Sequence, residues 1–185
     1  MNQAKHCDLC ENEMSSLKKG LTCKLTNRKP NFKYTCAEIK LDKKFREKLE
    51  IANLELEILR RNENSTYWTF YSTIIGGFLL IVGGYFFSNW TIHSIFLWYV
   101  KIGIIGAGFT FLGIAYSKLN GFRRKYKKAK FDKIKIDEIL NKYGIEYYPI
   151  FDFKEKIHGI QEVNVTMEFK NWTKRQTTNT YKFDY

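Results

Sequence analysis

Four cysteines fall within the first 36 residues of the 185-residue chain, at Cys7, Cys10, Cys23 and Cys36. Two residues separate Cys7 from Cys10, a spacing that lets one tight turn present two thiolates to a single metal ion. Cys23 and Cys36 each follow after a further 12 residues and complete a tetrahedral set. The pattern predicts a structural zinc site, with His6 as a reserve ligand. The second pair is not itself a Cys-x2-Cys, so a redox pair or unliganded thiols are the competing readings. Residues 1–40 otherwise show turn chemistry, at Lys19-Gly20 and from Asn27 to Asn31, and little apolar periodicity. Such a segment cannot bury enough surface to order itself, and metal binding would supply the missing folding free energy.

Three other groups of residues are candidates for chemistry. Lys101 is the one formal charge between Asn64 and Ser117. In an apolar span it either carries its ammonium to the interface or faces a water-filled space between subunits. Around it lie Gly76, Gly77, Gly83 and Gly84, then Gly103, Gly106, Gly108 and Gly113. Small faces of this kind let helices approach closely within one hairpin or between hairpins, so Gly83, Gly106 and Lys101 are expected at an oligomer or pore surface. The third group is Arg123, Arg124, Lys125, Lys127, Lys128 and Lys130, a block suited to anionic lipid headgroups and, as the second choice, to a nucleic-acid backbone. Catalysis finds no constellation: His6, His93 and His158 lie in separate segments, and no phosphate loop, nucleophile elbow or paired-histidine zinc motif is present. An enzyme is not expected.

The elements that must hold these residues follow from charge and periodicity. Apolar residues make up 44% of the chain although mean hydropathy is −0.39, so apolar content is concentrated rather than spread. Two spans of about 22 residues are predicted, Tyr67 to Ser88 and Ile95 to Tyr116, each sufficient to cross roughly 30 Å of hydrocarbon. Trp68, Tyr71, Tyr85, Trp90, Trp98, Tyr99 and Tyr116 cluster near their ends, as interfacial rings do. The connection from Asn89 to Ser94 has no Lys or Arg, whereas residues 118–143 carry 10 Lys/Arg against 3 Asp/Glu. Positive flanks stay inside, which predicts a multi-pass protein of the inner (cytoplasmic) membrane with both termini cytoplasmic.

The full expectation is a mainly α integral membrane protein in five segments. These are a zinc-finger-like module (1–40), an amphipathic helix (41–66), a transmembrane helical hairpin (67–117), a basic amphipathic helix (118–143) and a small antiparallel β-sheet (144–185). Leu41, Phe45, Leu49, Ala52, Leu56 and Leu59 form one helical stripe. Leu119, Phe122, Tyr126, Ala129, Lys133, Ile136, Leu140 and Tyr143 form the other at alternating 3 and 4 spacing, broken only by Lys133. The two stripes predict an antiparallel, coiled-coil-like pair. Period-two alternation of Val163, Val165, Met167 and Phe169 marks a half-buried strand; 148–153 and 181–185 are its expected partners, with a turn at 154–159.

The order helix, span, span, helix over 41–143 resembles the SLATT type of bacterial membrane effector, found with nucleotide-signalling defence systems and thought to permeabilise the membrane. The resemblance is one of architecture and covers about half the chain; the cysteine module and the terminal sheet depart from it, so no residue role is carried over. It implies a homo-oligomeric, channel-like effector in antiviral defence. The alternative is a membrane-anchored adaptor whose zinc module and sheet dock a cytoplasmic protein or nucleoprotein, such as a CRISPR-type defence complex.

Overall fold

A computed structural model of the chain describes residues 3–17, 20–90, 95–155, 160–172 and 176–184. In chain order the elements are α1 (Gln3–Asp8), β1 (Glu13–Ser16), β2 (Gly20–Cys23), α2 (Lys43–Arg61), α3 (Glu63–Trp90), α4 (Ile95–Lys142), β3 (Glu146–Phe153), β4 (Ile160–Lys170) and β5 (Gln176–Asp184). They divide into two compact units, one made of Met1–Glu57 with Ala129–Tyr185 and the other of Ile58–Lys128.

The first unit is built on a three-stranded antiparallel sheet in the order β3-β4-β5. Its register pairs Val163 with Phe153 and Tyr181, Val165 with Phe151 and Asn179, and Met167 with Pro149 and Thr177, so these residues share one face. Val163, Val165 and Met167 are fully buried there. The stripe of α2 is turned onto this face: Phe45 and Leu49 are buried, and the Phe45 ring meets Trp172 edge-on at 5.4 Å and Phe169 at 6.3 Å. Phe169 in turn packs on Trp172 at 4.6 Å, closing an aromatic cluster between helix and sheet.

Two polar groups in this packing are matched between helix and strand. Glu50 is fully buried on α2, and its carboxylate accepts from Asn179 Nδ2 (2.6 Å), the Tyr181 hydroxyl (2.7 Å) and Thr177 Oγ1 (3.3 Å), alternate residues of β5. Burial and then the hydrogen bond to Glu50 raise the Tyr181 pKa far above its ordinary value, which keeps the phenol a donor. The second group is the Tyr147 hydroxyl, bonded to Asp137 Oδ1 (2.5 Å), Lys133 Nζ (3.0 Å) and Asn53 Nδ2 (3.2 Å). Lys133, which breaks the apolar seam of α4, also pairs with Asp137 at 2.8 Å. The α2 and α4 portions of this unit are therefore joined through a tyrosine of β3 at the level where a continuous apolar seam is interrupted.

The end of α4 is set by Gly144. Its φ of 65° lets Ile145 N–H bond the Leu140 carbonyl at 3.1 Å, which caps the last turn and releases the chain into β3. A side chain with a β-carbon is strained at that φ.

Two helices are long and apolar enough to cross a membrane, over Glu63–Phe86, which lies in the second unit, and over Tyr99–Lys142, which begins in it. Only 11% of the apolar window in each is buried within the chain. Ile75, Phe78, Leu79, Val82 and Phe86 on α3 and Phe109, Phe111 and Ile114 on α4 are exposed. Hydroxyls in these helices are satisfied locally. Thr66, Thr69, Thr73 and Thr110 each donate to the carbonyl four residues earlier at 2.7–2.9 Å.

The elements differ in places from the sequence expectation. The second span and the basic helix are one 48-residue helix, α4. Only Asn62 separates α2 from α3, so the expected boundary between 66 and 67 falls inside a helix. The expected connection and turn lie partly outside the described residues, at 91–94 and 156–159. His93 and His158 lie there too.

Removing the Glu50 acceptor leaves three donors facing the core. Glu50→Ala is expected to cost about 3 kcal/mol at roughly 1 kcal/mol for each unpaired group, and Glu50→Gln less, because one acceptor oxygen survives. Thermal unfolding followed by near-ultraviolet circular dichroism checks the order; equal stability of wild type and Glu50→Ala would refute the buried network.

Candidate functional site

The cysteines are brought together by three separate pieces of backbone. α1 carries His6 and Cys7, and the turn that follows it, closed by Cys10 N–H on the Cys7 carbonyl at 2.9 Å, brings Cys10 back beside Cys7. The β1–β2 hairpin pairs Glu13 with Cys23 and so returns Cys23 to the start of β1, where Glu13 N–H bonds the Cys10 carbonyl at 3.2 Å. Asn27, at φ 52°, folds the chain after Cys23 so that Asn27 N–H reaches the Cys23 carbonyl at 2.8 Å. Cys36 is held by its own N–H, which donates to the Tyr143 hydroxyl at 3.0 Å.

All four cysteines line one cavity of about 20 Å³, together with His6 and Glu38. That is space on the order of a single small sphere. Cys7 and Cys10 are buried, and no disulfide links the four thiols. Burial first, and then the thiols of Cys10, Cys36 and Cys23, push the Cys7 pKa up to about 11. Cys10 Sγ accepts from Lys40 N–H (3.3 Å) and Asn12 N–H (3.4 Å), two backbone donors that hold it in place. Among the described residues, no three His, Cys, Asp or Glu side chains stand in an arrangement that would hold a metal ion. The four cysteines share a cavity without standing in a metal-holding arrangement.

Tyr143 is the residue that sequence reasoning missed as part of this site. Its hydroxyl accepts from Cys36 N–H and lies 3.2 Å from His6 Nδ1, while the His6 ring packs edge-on against Phe32 (5.3 Å) and Tyr143 (5.8 Å). Burial first, and then the positive charge of Lys142, lower the His6 pKa. The signal for Tyr143 was its place at the end of the α4 stripe, where it read as packing alone.

Ion pairs reinforce the module on α2. Lys44 pairs with Glu13, Lys48 Nζ lies 2.5 Å from Asp8 Oδ1, and Glu11 Oε1 accepts from Lys44 N–H at 2.7 Å in the first turn of the helix.

The other sequence candidates lie elsewhere. Lys101 Nζ stands 5.7 Å from the centroid of the Tyr85 ring of α3. The glycines fall into two sets. A β-carbon on Gly108 would come within 2.6 Å of Ile81 Cγ1 and 2.9 Å of the Gly77 carbonyl oxygen; one on Gly77 would meet Leu112 Cδ2 at 2.9 Å, and one on Gly84 would meet Ile104 Cγ2 at 3.0 Å. Gly76, Gly83, Gly103, Gly106 and Gly113 face open space, with nothing within 4 Å. Arg123, Arg124, Lys125, Lys127, Lys128 and Lys130 are exposed on α4, with Phe122 and Tyr126 stacked at 6.2 Å on the seam side.

Comparison with known proteins finds no matching family model, no matching curated protein and no matching solved structure.

Tyr143→Phe removes the hydroxyl that joins α4 to both Cys36 and His6. It is expected to cost about 1–2 kcal/mol and to raise amide exchange across residues 6–40 while exchange in β3–β5 stays unchanged. A uniform rise over both regions would assign Tyr143 to the general core instead.

Proposed function

We propose that the protein is a homo-oligomeric membrane protein of the effector or channel-like kind, anchored by the α3–α4 hairpin in the cytoplasmic membrane with both termini inside. In this reading a structural zinc ion held by Cys7, Cys10, Cys23 and Cys36 orders the amino-terminal module. The observation that carries the oligomer is the division of the glycines. Gly77, Gly84 and Gly108 account for the close approach of the two helices, so hairpin packing leaves Gly76, Gly83, Gly103, Gly106 and Gly113 unexplained. Between helices in lipid there is no hydrophobic driving force, and small residues on a free face are how backbones come close enough for van der Waals contact to hold them. The orientation rests on the excess of 10 Lys/Arg over 3 Asp/Glu in residues 118–143. Bilayer lipid is then the first partner, with anionic headgroups on the six exposed cations of 123–130. The architectural resemblance to SLATT-type effectors makes membrane permeabilisation in defence the activity to test. Zinc is supported by the shared cavity, by the two backbone donors on Cys10 and by the scarcity of large apolar residues in the sequence of residues 1–40.

Metal analysis of the purified protein is expected to give about one zinc per chain, a single tetrahedral site using all four thiolates. Retention of full zinc by Cys10→Ser would sink the site.

For the oligomer, Gly83→Leu and Gly106→Leu should lower the mass of the detergent-solubilised particle while membrane insertion persists. Gly108→Leu should instead damage the hairpin itself, because the side chain has nowhere to go between Ile81 and the Gly77 carbonyl. A wild-type particle with the mass of one chain plus detergent would remove the oligomer and the channel together, and leave the membrane-anchored adaptor as the better reading.

A further inference from the structure

The two edges of the β3-β4-β5 sheet are not equivalent. β3 carries Pro149 at its centre, opposite Met167, and a proline has no N–H to offer a further strand. β5, with the sequence Gln-Thr-Thr-Asn-Thr-Tyr-Lys-Phe-Asp, contains neither proline nor glycine over its nine residues. Among the described residues it has a ladder partner on one side only. Its other side is a run of main-chain donors and acceptors with the twist and length of a strand template.

A cavity of about 420 Å³ lies against that edge, lined by Lys43, Arg46 and Glu47 of α2 and by Asn179, Thr180 and Tyr181 of β5. Asn179 and Tyr181 turn to the buried face, where they bond Glu50, while Thr180 turns to the outer face and bonds Asn164 Oδ1 at 2.8 Å. Three consecutive residues with opposed side chains line one cavity when it opens on the strand's edge rather than on either face. The result is a groove with an unpaired strand as one wall and the first turns of a 19-residue helix as the other. At ~30 Å³ per water its volume is roughly that of a dozen waters, room for side chains of an incoming segment. The charge of the helical wall is specific. Arg46 Nη2 bonds Asp42 at 3.1 Å, whereas its Nε is buried without an acceptor; Lys43 stands one turn away and Glu47 follows Arg46.

We propose that this groove binds an extended peptide segment of a partner protein, which adds to the β5 edge as a further strand and sets one carboxylate side chain between Lys43 and Arg46. Main-chain pairing supplies affinity along the strand, and the helical wall supplies selectivity, as in strand addition generally. Glu47 disfavours uniformly acidic segments, so the fitting sequence is polar and extended with a single Asp or Glu at the cationic position. The site lies within the unit formed by Met1–Glu57 and Ala129–Tyr185 and is independent of the oligomeric state of the hairpin.

The test is selection of random twelve-residue peptides displayed on phage against the full-length protein in detergent micelles. Enriched peptides are expected to carry one acidic residue within a proline-free polar stretch. A synthetic copy should slow amide exchange over residues 177–183. N-methylation of alternate peptide amides should weaken it about tenfold in one phase and leave it unchanged in the other, the signature of a paired edge. Lys43→Glu, at an exposed position of α2, and Arg46→Glu, at a half-buried one, should each weaken binding by about tenfold, with the Lys43 variant deciding if Arg46→Glu disturbs the fold. Failure to enrich any peptide, binding indifferent to the phase of N-methylation, or binding unchanged by both charge reversals overturns the proposal. Competition by a synthetic 176–184 peptide at equal potency also overturns it, since the occupant would then be β5 of a second copy.

Discussion

A carboxylate taken out of water has to be given back what water provided, and Glu50 is given it by a single strand. Thr177, Asn179 and Tyr181 project from β5 at intervals of two and converge on one residue of α2. The register of β5 on β4, the depth at which α2 lies on the sheet and the protonated state of Tyr181 are all fixed by that arrangement. Slipping β5 by one residue would turn all three donors to solvent and leave the anion buried and bare, an error costing several kcal/mol. The aromatic cluster of Phe45, Phe169 and Trp172 adds area and contact but would tolerate small displacements. The ionic group does not, which is why it specifies the geometry that the apolar cluster then fills.

The same logic explains which parts of the fold could be read in the sequence. Period-two alternation announced β4, and the uncharged stretch around Lys101 announced α3 and the first part of α4, because both are local patterns of apolar residues along one segment. The first half of β5 was silent. Thr177 and Asn179 face inward, but as polar residues meeting a polar partner, so the strand starts at Gln176 and not at the aromatic residues where its apolar signal begins. Lys133 looked like a flaw in the α4 stripe, although it bonds both Asp137 and the Tyr147 hydroxyl, which also bond each other. Long-range polar matches leave no periodic trace, since each partner is ordinary in its own neighbourhood.

The cysteine module was legible in a different way. Spacing alone indicated that Cys7, Cys10, Cys23 and Cys36 belong together, and they line one cavity. What spacing could not convey is how a short helix, a hairpin and an irregular stretch are held in place. Backbone donors on Cys10, ion pairs onto α2 and the single hydroxyl of Tyr143 do that, and two of these three depend on residues remote in sequence. The division of the glycines was likewise beyond the sequence, because Gly76 and Gly77 are adjacent and only the packed hairpin distinguishes the crowded one from the open one.

That division also carries a handedness. On α3 the crowded pair, Gly77 and Gly84, and the open pair, Gly76 and Gly83, both repeat at seven residues, and on α4 the open pair Gly106 and Gly113 repeats at the same interval. A straight helix of 3.6 residues per turn drifts by about 20° over each such interval, so a contact continued at sevens over many turns would favour left-handed coiling of the helices about one another. Since the inner and outer sets advance together, a neighbour seated on the open face would inherit the same sense of coiling as the hairpin it joins. Any ring of such hairpins would thus be a chiral object whose helices all lean one way, and tilting them in concert would widen or narrow its centre like the blades of an iris.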